Sequence, residues 1–186
     1  MPDDNRIHLM DEADVRRAIA RMAREIVERS GGTERLMLMG IHRRGTDIAG
    51  LLAAEIASRE GAAPPQGSID ISLYRDDLEQ IGPRPVVGGS ELPLEGIEGR
   101  TVVIVDDVAY TGRTVRAALN ELTDWGRPER ILLCVLVDRG GRELPIQPDI
   151  VGRTVQALPH QRVEVLVPEL DGQLGVELVD PRAGGR

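Results

Sequence analysis

Two adjacent carboxylates, Asp106 and Asp107, lie between an apolar run and a short turn that is rich in hydroxyl groups. The turn, AYTGRT (109–114), contains two threonines and a glycine and leads into a helical pattern. Backbone N–H groups at a helix N-terminus bind phosphate, and a glycine lets the phosphate approach closely. Neighbouring carboxylates repel each other unless a ligand binds them. Because the 2′ and 3′ hydroxyls of ribose satisfy both acids, with or without Mg²⁺ nearby, the stretch predicts a ribose 5-phosphate site.

The same stretch has two other interpretations. A strand-to-helix turn without a ligand would use hydroxyls to cap the helix, but it has no need of two acids before them. A receiver-like signalling domain would also place acids after a strand, as in VIVDD (103–107), but nearer its N-terminus and together with a lysine. All 23 basic residues of this chain are arginine, which sets that class aside and also excludes a Walker A or Schiff-base lysine.

The elements that position the carboxylates alternate between strand and helix. The apolar runs predict strands at 35–41, 68–74, 101–107 and 130–138, and the helical patterns predict helices at 11–30, 46–59 and 111–123. Nearly continuous apolar strands indicate a parallel sheet that is covered on both faces. In such sheets ligands bind at the carboxyl ends of the strands, where the turns after Ile41, Asp107 and Val137 meet.

Two segments fall outside this alternation. Residues 75–100 are rich in glycine, proline and acid, and a connection of that length is usually functional, as a lid or an extended hairpin. The chain after 148 contains short apolar stretches and an Asp171-Gly172 turn, which predict short strands before a frayed tail at 181–186. We expect one domain over residues 1–186.

Composition narrows the class of protein. The net charge of −8 argues against a surface that binds nucleic acid as a whole, but it leaves room for a local basic patch. The longest apolar run, ILLCVLV (131–137), has the length of a strand rather than a membrane span, and it contains the single cysteine, Cys134, which we expect to be buried. The first ten residues lack the pattern of a secretory signal. We therefore expect a cytoplasmic protein with no membrane partner.

The stretch VVIVDDVAYTGRT (102–114) resembles the phosphoribosyl pyrophosphate (PRPP) signature of type I phosphoribosyltransferases. Three further stretches are similar to the PyrR family of bifunctional pyrimidine-operon attenuators and uracil phosphoribosyltransferases: SLYRDDL (72–78), DWGRPERI (124–131) and VLVDRGGRELPI (135–146). The similarity runs from about Asp11 to Thr154. It implies an α/β fold with a parallel sheet and helices on both faces, a flexible loop at 75–100 and a small C-terminal, strand-rich hood.

The resemblance implies transfer of the phosphoribosyl group of PRPP to N1 of uracil, which gives UMP and diphosphate. A transition state like an oxocarbenium ion requires mainly that the protein positions the reactants, neutralises the diphosphate and excludes water. Asp106 and Asp107 would be catalytic, with Arg75 reaching the diphosphate from the loop. Mg²⁺ would arrive with PRPP, without ligands of its own on the protein, and the resemblance names no general base.

The resemblance also assigns binding residues. Taken alone, GIHRRG (40–45) is typical of a surface turn, and the PRPP signature downstream favours a diphosphate loop instead. The residues assigned to PRPP and UMP are Arg43, Arg44, Gly45, Ala109, Tyr110, Thr111, Gly112, Arg113 and Thr114. Purine-using relatives carry an acid where this chain has Tyr110, so a purine substrate is disfavoured. Uracil is assigned to the backbone around Val137, Asp138 and Arg139, where an ion pair that merely closes the strand is the simpler alternative.

The regulatory half of the resemblance places pyrimidine-operon leader RNA on the first helix, at Arg17, Arg21, Arg24 and Arg29. A solvated helix face is the simpler interpretation of these arginines. Ala20 and Arg24 stand where the family carries a hydroxyl residue and a histidine, and the serine-rich run expected after Val155 is absent. An RNA-binding nucleotide sensor with little turnover stays open as the alternative function. Because relatives form dimers or larger assemblies, we expect a homo-oligomer.

Overall fold

The computed structural model describes residues 5–73 and 89–183. Along the chain its elements are β1 (Arg6–Met10), α1 (Glu12–Ser30), β2 (Leu36–Ile41), α2 (Arg44–Glu60), β3 (Gln66–Ile69), a 3-10 turn (Ile71–Leu73), β4 (Thr101–Ala109), α3 (Arg113–Trp125), β5 (Arg130–Asp138), β6 (Ile150–Thr154), β7 (Arg162–Leu166), α4 (Pro168–Asp171) and β8 (Gly175–Val179).

Two sheets organise these elements. The larger sheet is parallel throughout, in the order β3-β2-β4-β5-β6, so the predicted α/β fold is confirmed. The smaller sheet is antiparallel, in the order β1-β8-β7, and with α4 it forms the strand-rich hood. Strand β4 lies in the middle of the parallel sheet, and its carboxyl end is therefore flanked by the ends of β2 and β5.

The core lies on both faces of the parallel sheet. Val103 and Val105 of β4 pack into a cluster with α1, α2 and the hood. The alternate residues Val102 and Ile104 pack into a second cluster with α3. This double burial explains the nearly continuous apolar strands, because each face of β4 needs its own apolar side chains. Cys134 is buried as predicted, and burial raises the pKa of its thiol.

Helix α1 begins and ends where the sequence predicts. The Asp14 N–H donates to the Asp11 side chain at 2.7 Å, and the Asp11 N–H donates back to the Asp14 side chain at 3.2 Å. Gly31 ends the helix with φ 71°, a conformation that glycine adopts without steric cost. The predicted apolar stripe is fully buried: Val15, Ile19, Met22 and Ile26.

Several predicted boundaries were wrong. Strand β3 ends at Ile69 rather than at residue 74, because a 3-10 turn follows. Helix α2 begins at Arg44 instead of Thr46, and α3 begins at Arg113 instead of Thr111, because Gly112 before it has φ 93° and cannot be helical. Strand β1 had no predicted counterpart. Its pairing with β8 is a contact between opposite ends of the chain, which local patterns do not reveal.

The predicted loop at 75–100 is described only in part. Residues 75–88, with the proposed catalytic residue Arg75, lie outside the described residues, as do residues 184–186 of the predicted tail. In the described remainder, Glu91 forms an antiparallel bridge with Ser68, and Ile97 is buried in the core. The end of this segment therefore packs against the parallel sheet.

Two glycines of helix α2 test how closely it packs on β4. A Cβ atom at Gly45 would lie 2.6 Å from the Val105 carbonyl oxygen, whereas one at Gly50 would meet nothing within 4 Å. We expect Gly45→Ala to lower the free energy of unfolding by about 1–3 kcal/mol because α2 must move. Gly50→Ala should raise it by about 0.5–1 kcal/mol, because alanine favours a helix. Denaturant unfolding measures both, and equal effects would contradict the close packing.

Candidate active site

Three turns meet at the carboxyl edge of the parallel sheet. Named for the groups that the sequence predicts they bind, the diphosphate turn (residues 42–45) follows β2, the phosphate turn (109–114) follows β4, and the nucleobase turn (138–142) follows β5. Strand register brings Gly40 beside Val105 and Asp138 beside Ala109. The last two turns are also joined directly, because the Arg139 N–H donates to the Ala109 carbonyl at 3.1 Å. The three turns predicted to share an edge therefore do so.

The two carboxylates lie within β4, which extends to Ala109. Asp106 is buried, with 6% of its surface exposed, and Asp107 is half-buried. An oxygen of each side chain accepts the N–H of the next residue at 2.9 Å. Burial first, and then the charge of Asp107, hold the pKa of Asp106 well above its usual range. A cation or hydroxyl donors beside the pair would favour the charged form.

The phosphate turn is braced by the segment that follows the nucleobase turn. The Thr111 carbonyl accepts the N–H groups of Glu143 and Leu144 at 2.9 and 3.1 Å. The Arg113 N–H donates to the Thr111 hydroxyl at 3.3 Å, and the Arg113 guanidinium pairs with Glu143 at 2.7 Å. Thr114 follows in the first turn of α3, where N–H groups without a helical partner point out of the helix end. The turn therefore presents backbone donors next to the carboxylates.

The diphosphate turn contains a cis peptide bond between His42 and Arg43. Its two arginines differ in their surroundings. Arg43 is exposed, whereas the Arg44 guanidinium donates to the Val165 carbonyl at 2.7 Å and pairs with Asp171 at 3.1 Å. Gly45 is buried against β4. The structure thus places one arginine at the surface of the turn and the other against the hood.

The polar side chains of the nucleobase turn form hydrogen bonds and ion pairs with other parts of the protein. Val137 is buried, and Asp138 accepts the Gly140 N–H at 2.9 Å and pairs with Arg142 at 2.8 Å. The buried Arg139 guanidinium donates to the carbonyls of two residues of the segment before β7, and it stacks on the Tyr110 ring at 3.9 Å. Part of the backbone is engaged as well, because the Asp138 carbonyl accepts the Val155 N–H at 2.9 Å.

Sequence patterns missed two residues of this region. Arg142 donates to the Tyr110 carbonyl at 2.8 Å as well as pairing with Asp138, and Asp171 pairs with Arg44 across the chain. Because Arg142 lies in the nucleobase turn, which the sequence had already indicated, its position could have marked it as a residue of the site. For Asp171 the local sequence predicted only a turn with Gly172, because its partner Arg44 is distant in sequence.

The four arginines assigned to RNA lie on one helix in different surroundings. Arg17 pairs with Asp14 at 2.5 Å, and Arg29 pairs with Glu25 at 2.9 Å. Arg21 donates to the carbonyls of Val151 and Gly152 on β6, and Arg24 is exposed. One surface depression contains three of these arginines together with two acids, and its lining is Arg21, Arg24, Glu25, Glu28 and Arg29.

Residues 5–73 and 89–183 contain neither a metal-binding cluster nor a membrane-spanning helix. No group of three or more histidine, cysteine or acidic side chains there is arranged to hold a metal ion. No helix in the same residues is both long and apolar enough to span a bilayer.

The fold and this edge of the sheet define a phosphoribosyltransferase. The phosphoribosyl transferase domain family matches residues 9–171. Two solved hypoxanthine phosphoribosyltransferases have the same fold. That of Staphylococcus aureus has a TM-score of 0.73 at 18% identity and covers 99% of this chain and 96% of its own. That of Trypanosoma cruzi has a TM-score of 0.72 at 21% identity, with 96% and 97% covered.

Curated relatives show to which family of phosphoribosyltransferases the chain is similar. The bifunctional protein PyrR of Herpetosiphon aurantiacus is 55% identical over 163 residues, which are 88% of this chain and 90% of that protein. The bifunctional protein PyrR of Thermus thermophilus is 53% identical over 91% of this chain and 93% of its own. The chain therefore belongs to the PyrR family of phosphoribosyltransferases, as the sequence motifs indicated.

The buried acid gives a stability prediction. Asp106 keeps its proton to a higher pH in the folded protein than in the unfolded chain, so the fold loses stability as pH rises above the usual aspartate pKa. We expect Asp106→Asn to raise Tm at neutral pH, and roughly 2–4 °C would correspond to about 1 kcal/mol. The gain should vanish as pH falls towards about 4.

Asp107→Asn is the matched control for this prediction, because it also removes one charge of the pair. Since Asp107 is only half-buried, its gain in Tm should be smaller than that of Asp106→Asn. Thermal unfolding by circular dichroism, in the absence of nucleotides, measures both variants. An Asp106→Asn protein that is less stable than the unmodified protein at neutral pH would contradict the cost of burial.

Proposed function

We propose that the protein transfers the phosphoribosyl group of PRPP to uracil and releases UMP and diphosphate. The observation that carries the proposal is the carboxylate pair at the end of β4, set between two turns suited to bind phosphate. Membership of the PyrR family supports it, because the relatives are named bifunctional and the family's shared domain is a phosphoribosyltransferase.

The subsites follow the order of groups in PRPP. The phosphate turn and the N-terminus of α3 would hold the 5′-phosphate, because N–H groups and the helix dipole both favour an anion there. Asp106 and Asp107 would accept hydrogen bonds from the ribose hydroxyls. The N-terminus of α2 and the exposed Arg43 would hold the diphosphate. The ribose carbon that reacts would then lie between the diphosphate turn and the nucleobase turn.

The chemistry requires little from any single side chain. The bond to diphosphate breaks as the bond to the uracil nitrogen forms, and positive charge develops on the ribose ring. Two nearby carboxylates favour that charge, and cationic groups at the diphosphate turn favour the negative leaving group. Holding both reactants in line adds the advantage of proximity. The catalytic role of Asp106 and Asp107 is therefore electrostatic and positional.

Magnesium fits this donor set as a companion of the substrate. Mg²⁺ prefers oxygen ligands and is usually bound through one or two carboxylates together with substrate phosphates. Asp106 and Asp107 would lie near an ion that the substrate carries, and the described residues contain no group of three or more side chains that would hold one by themselves. We propose that the ion enters with PRPP and neutralises diphosphate charge when bound.

Uracil selectivity would come from the backbone at the end of β5 and from Tyr110. The side chains of Asp138 and Arg139 are engaged by Arg142, by backbone carbonyls and by the Tyr110 ring. We propose that backbone groups around Val137 and Asp138 other than the Asp138 carbonyl and the Arg139 N–H, which are bonded within the protein, pair with the amide-like edge of the pyrimidine. Tyr110 provides no carboxylate for the N7 region of a purine.

A second function, binding of pyrimidine-operon leader RNA, is favoured by the depression on α1 that contains Arg21, Arg24 and Arg29. Arginine side chains bind RNA phosphates, but Glu25 and Glu28 in the same depression oppose a general attraction for nucleic acid. We propose a selective RNA contact that depends on UMP. The proposal includes a cytoplasmic location, where PRPP and RNA occur, and a homo-oligomer.

Loss of one carboxylate tests the enzyme. We expect Asp107→Asn to fold and to lower the rate of UMP formation by at least ~10²-fold, the scale for losing one positioned electrostatic group. Arg162→Gln, an exposed change on β7, is the control and should retain the unmodified rate. UMP formation from PRPP, Mg²⁺ and uracil is measured for each. Near-normal turnover by Asp107→Asn would mean that the acids have another role.

Changes on α1 test the RNA contact separately. We expect Arg24→Gln to weaken binding of pyrimidine leader RNA and to reduce the salt slope by about one phosphate contact. UMP formation should be unaffected, because Arg24 lies in the second half of α1, which ends at the amino edge of the sheet, where the Arg29 carbonyl accepts from Arg130 at the start of β5. Arg16→Gln, on the same helix and paired with Glu12, is the control. Weak binding that is indifferent to sequence, to UMP and to Arg24 would refute the RNA function.

A further inference from the structure

Two arginines from different turns of the active site are anchored at opposite ends of one hood strand. Arg139, from the nucleobase turn, donates to the carbonyls of Leu158 and Gln161, at 3.1 and 2.8 Å. Arg44, from the diphosphate turn, donates to the Val165 carbonyl at 2.7 Å. Strand β7 begins directly after Gln161 and contains Val165. The strand therefore spans the distance between the two turns.

The Arg44 contact lies on the edge of β7, whereas the carbonyls that Arg139 contacts lie just before the strand. In the described part of the chain, β7 pairs only with β8, so it is the edge strand of the hood. An edge strand carries backbone carbonyls without strand partners. Arginine guanidinium groups satisfy such carbonyls with several donors in one plane, which a single ammonium group could not do in the same geometry.

The Arg44 end is reinforced by an acid. Asp171, at the end of α4, pairs with the Arg44 guanidinium through both carboxylate oxygens, at 3.1 and 3.3 Å. The same carboxylate accepts the Val167 N–H at 2.8 Å, just after β7. Asp171 therefore fixes the guanidinium and the end of the strand together. Its carboxylate also competes with a diphosphate for the charge of Arg44.

The Arg139 end is reinforced by burial and by an aromatic ring. Only 6% of Arg139 is exposed, and its guanidinium lies 3.9 Å from the centre of the Tyr110 ring. A Cβ atom at Gly141 would lie 2.5 Å from that ring, so the absence of a side chain there leaves room for Tyr110 in this position. A buried cation with these partners has a fixed geometry and little access to a ligand.

We propose that Arg44 and Arg139 are positioning residues, which hold β7 as a strut that sets the separation of the diphosphate and nucleobase turns. The inference rests on the proposed function, and it assigns the diphosphate contact of the side chains to Arg43 rather than to Arg44. Two adjacent arginines of one turn thus have different tasks. The strut places the leaving group and the attacking base at a fixed distance, as an in-line displacement requires.

The test compares Arg44→Gln, Asp171→Asn and the double variant, because variants of the buried Arg139 can fail to fold. We expect each single change to raise KM for PRPP about tenfold and to lower kcat less, because misplacement of a turn disturbs substrate alignment. The double variant should be little worse than Arg44→Gln, since both changes break the Arg44–Asp171 pair and asparagine can still accept the Val167 N–H. Arg162→Gln, exposed on β7 itself, is the matched control and should resemble the unmodified protein.

Amide hydrogen exchange without substrates gives a readout independent of catalysis. Residues 162–166 and 175–179 should exchange faster in Arg44→Gln and in Asp171→Asn than in the Arg162→Gln control. A large loss of PRPP affinity in Arg44→Gln with none in Asp171→Asn would overturn the inference, because Arg44 would then bind the diphosphate directly. Unchanged exchange in both variants would also overturn it. An unmodified protein without UMP formation would refute the proposed function alone, and exchange would still decide the strut.

Discussion

The burial of one carboxylate at the end of a central strand is the constraint on which the site depends. Asp106 lies near the end of β4, where the neighbouring strands β2 and β5 bring two further turns to the same edge. Burial raises its pKa and weakens the ligand-free fold, so that a bound ribose or cation has an unfavourable interaction to relieve. The buried acid lowers the stability of the ligand-free protein, and a ligand that binds the acid would restore that stability. Such a cost is common at functional sites.

The positively charged side chains around this acid are all arginines, and they differ in how deeply they are buried and in the groups that they contact. Arg44, Arg139 and Arg142 satisfy carbonyls and carboxylates of the protein, whereas Arg43 lies exposed in the turn after β2. The planar guanidinium suits both tasks, because it can join several backbone groups or a phosphate with the same donors. The hood is connected to the catalytic edge through such contacts, so it belongs to the site as well as to the core.

Much of this arrangement follows from local patterns. Helix α1 follows from the cap at Asp11 and from its apolar stripe, and β4 follows from its apolar run. The alternation of strand and helix then brings the three turns to one edge. The hood could not be predicted in detail, because β1 pairs with β8 from the far end of the chain. The different surroundings of Arg43 and Arg44 could not be predicted either. The two residues are identical and adjacent, and what distinguishes Arg44 is its contacts with Val165 and Asp171, which are distant in sequence.

The most direct test of the account is UMP formation by the purified protein from PRPP, Mg²⁺ and uracil, with hypoxanthine, guanine and orotate in parallel. We expect turnover with uracil and little with either purine or with orotate. Preferential turnover with a purine would contradict the assignment of Tyr110 and the nucleobase turn. Retained binding of PRPP or UMP without turnover on any base would contradict the enzyme and leave a nucleotide-sensing regulator.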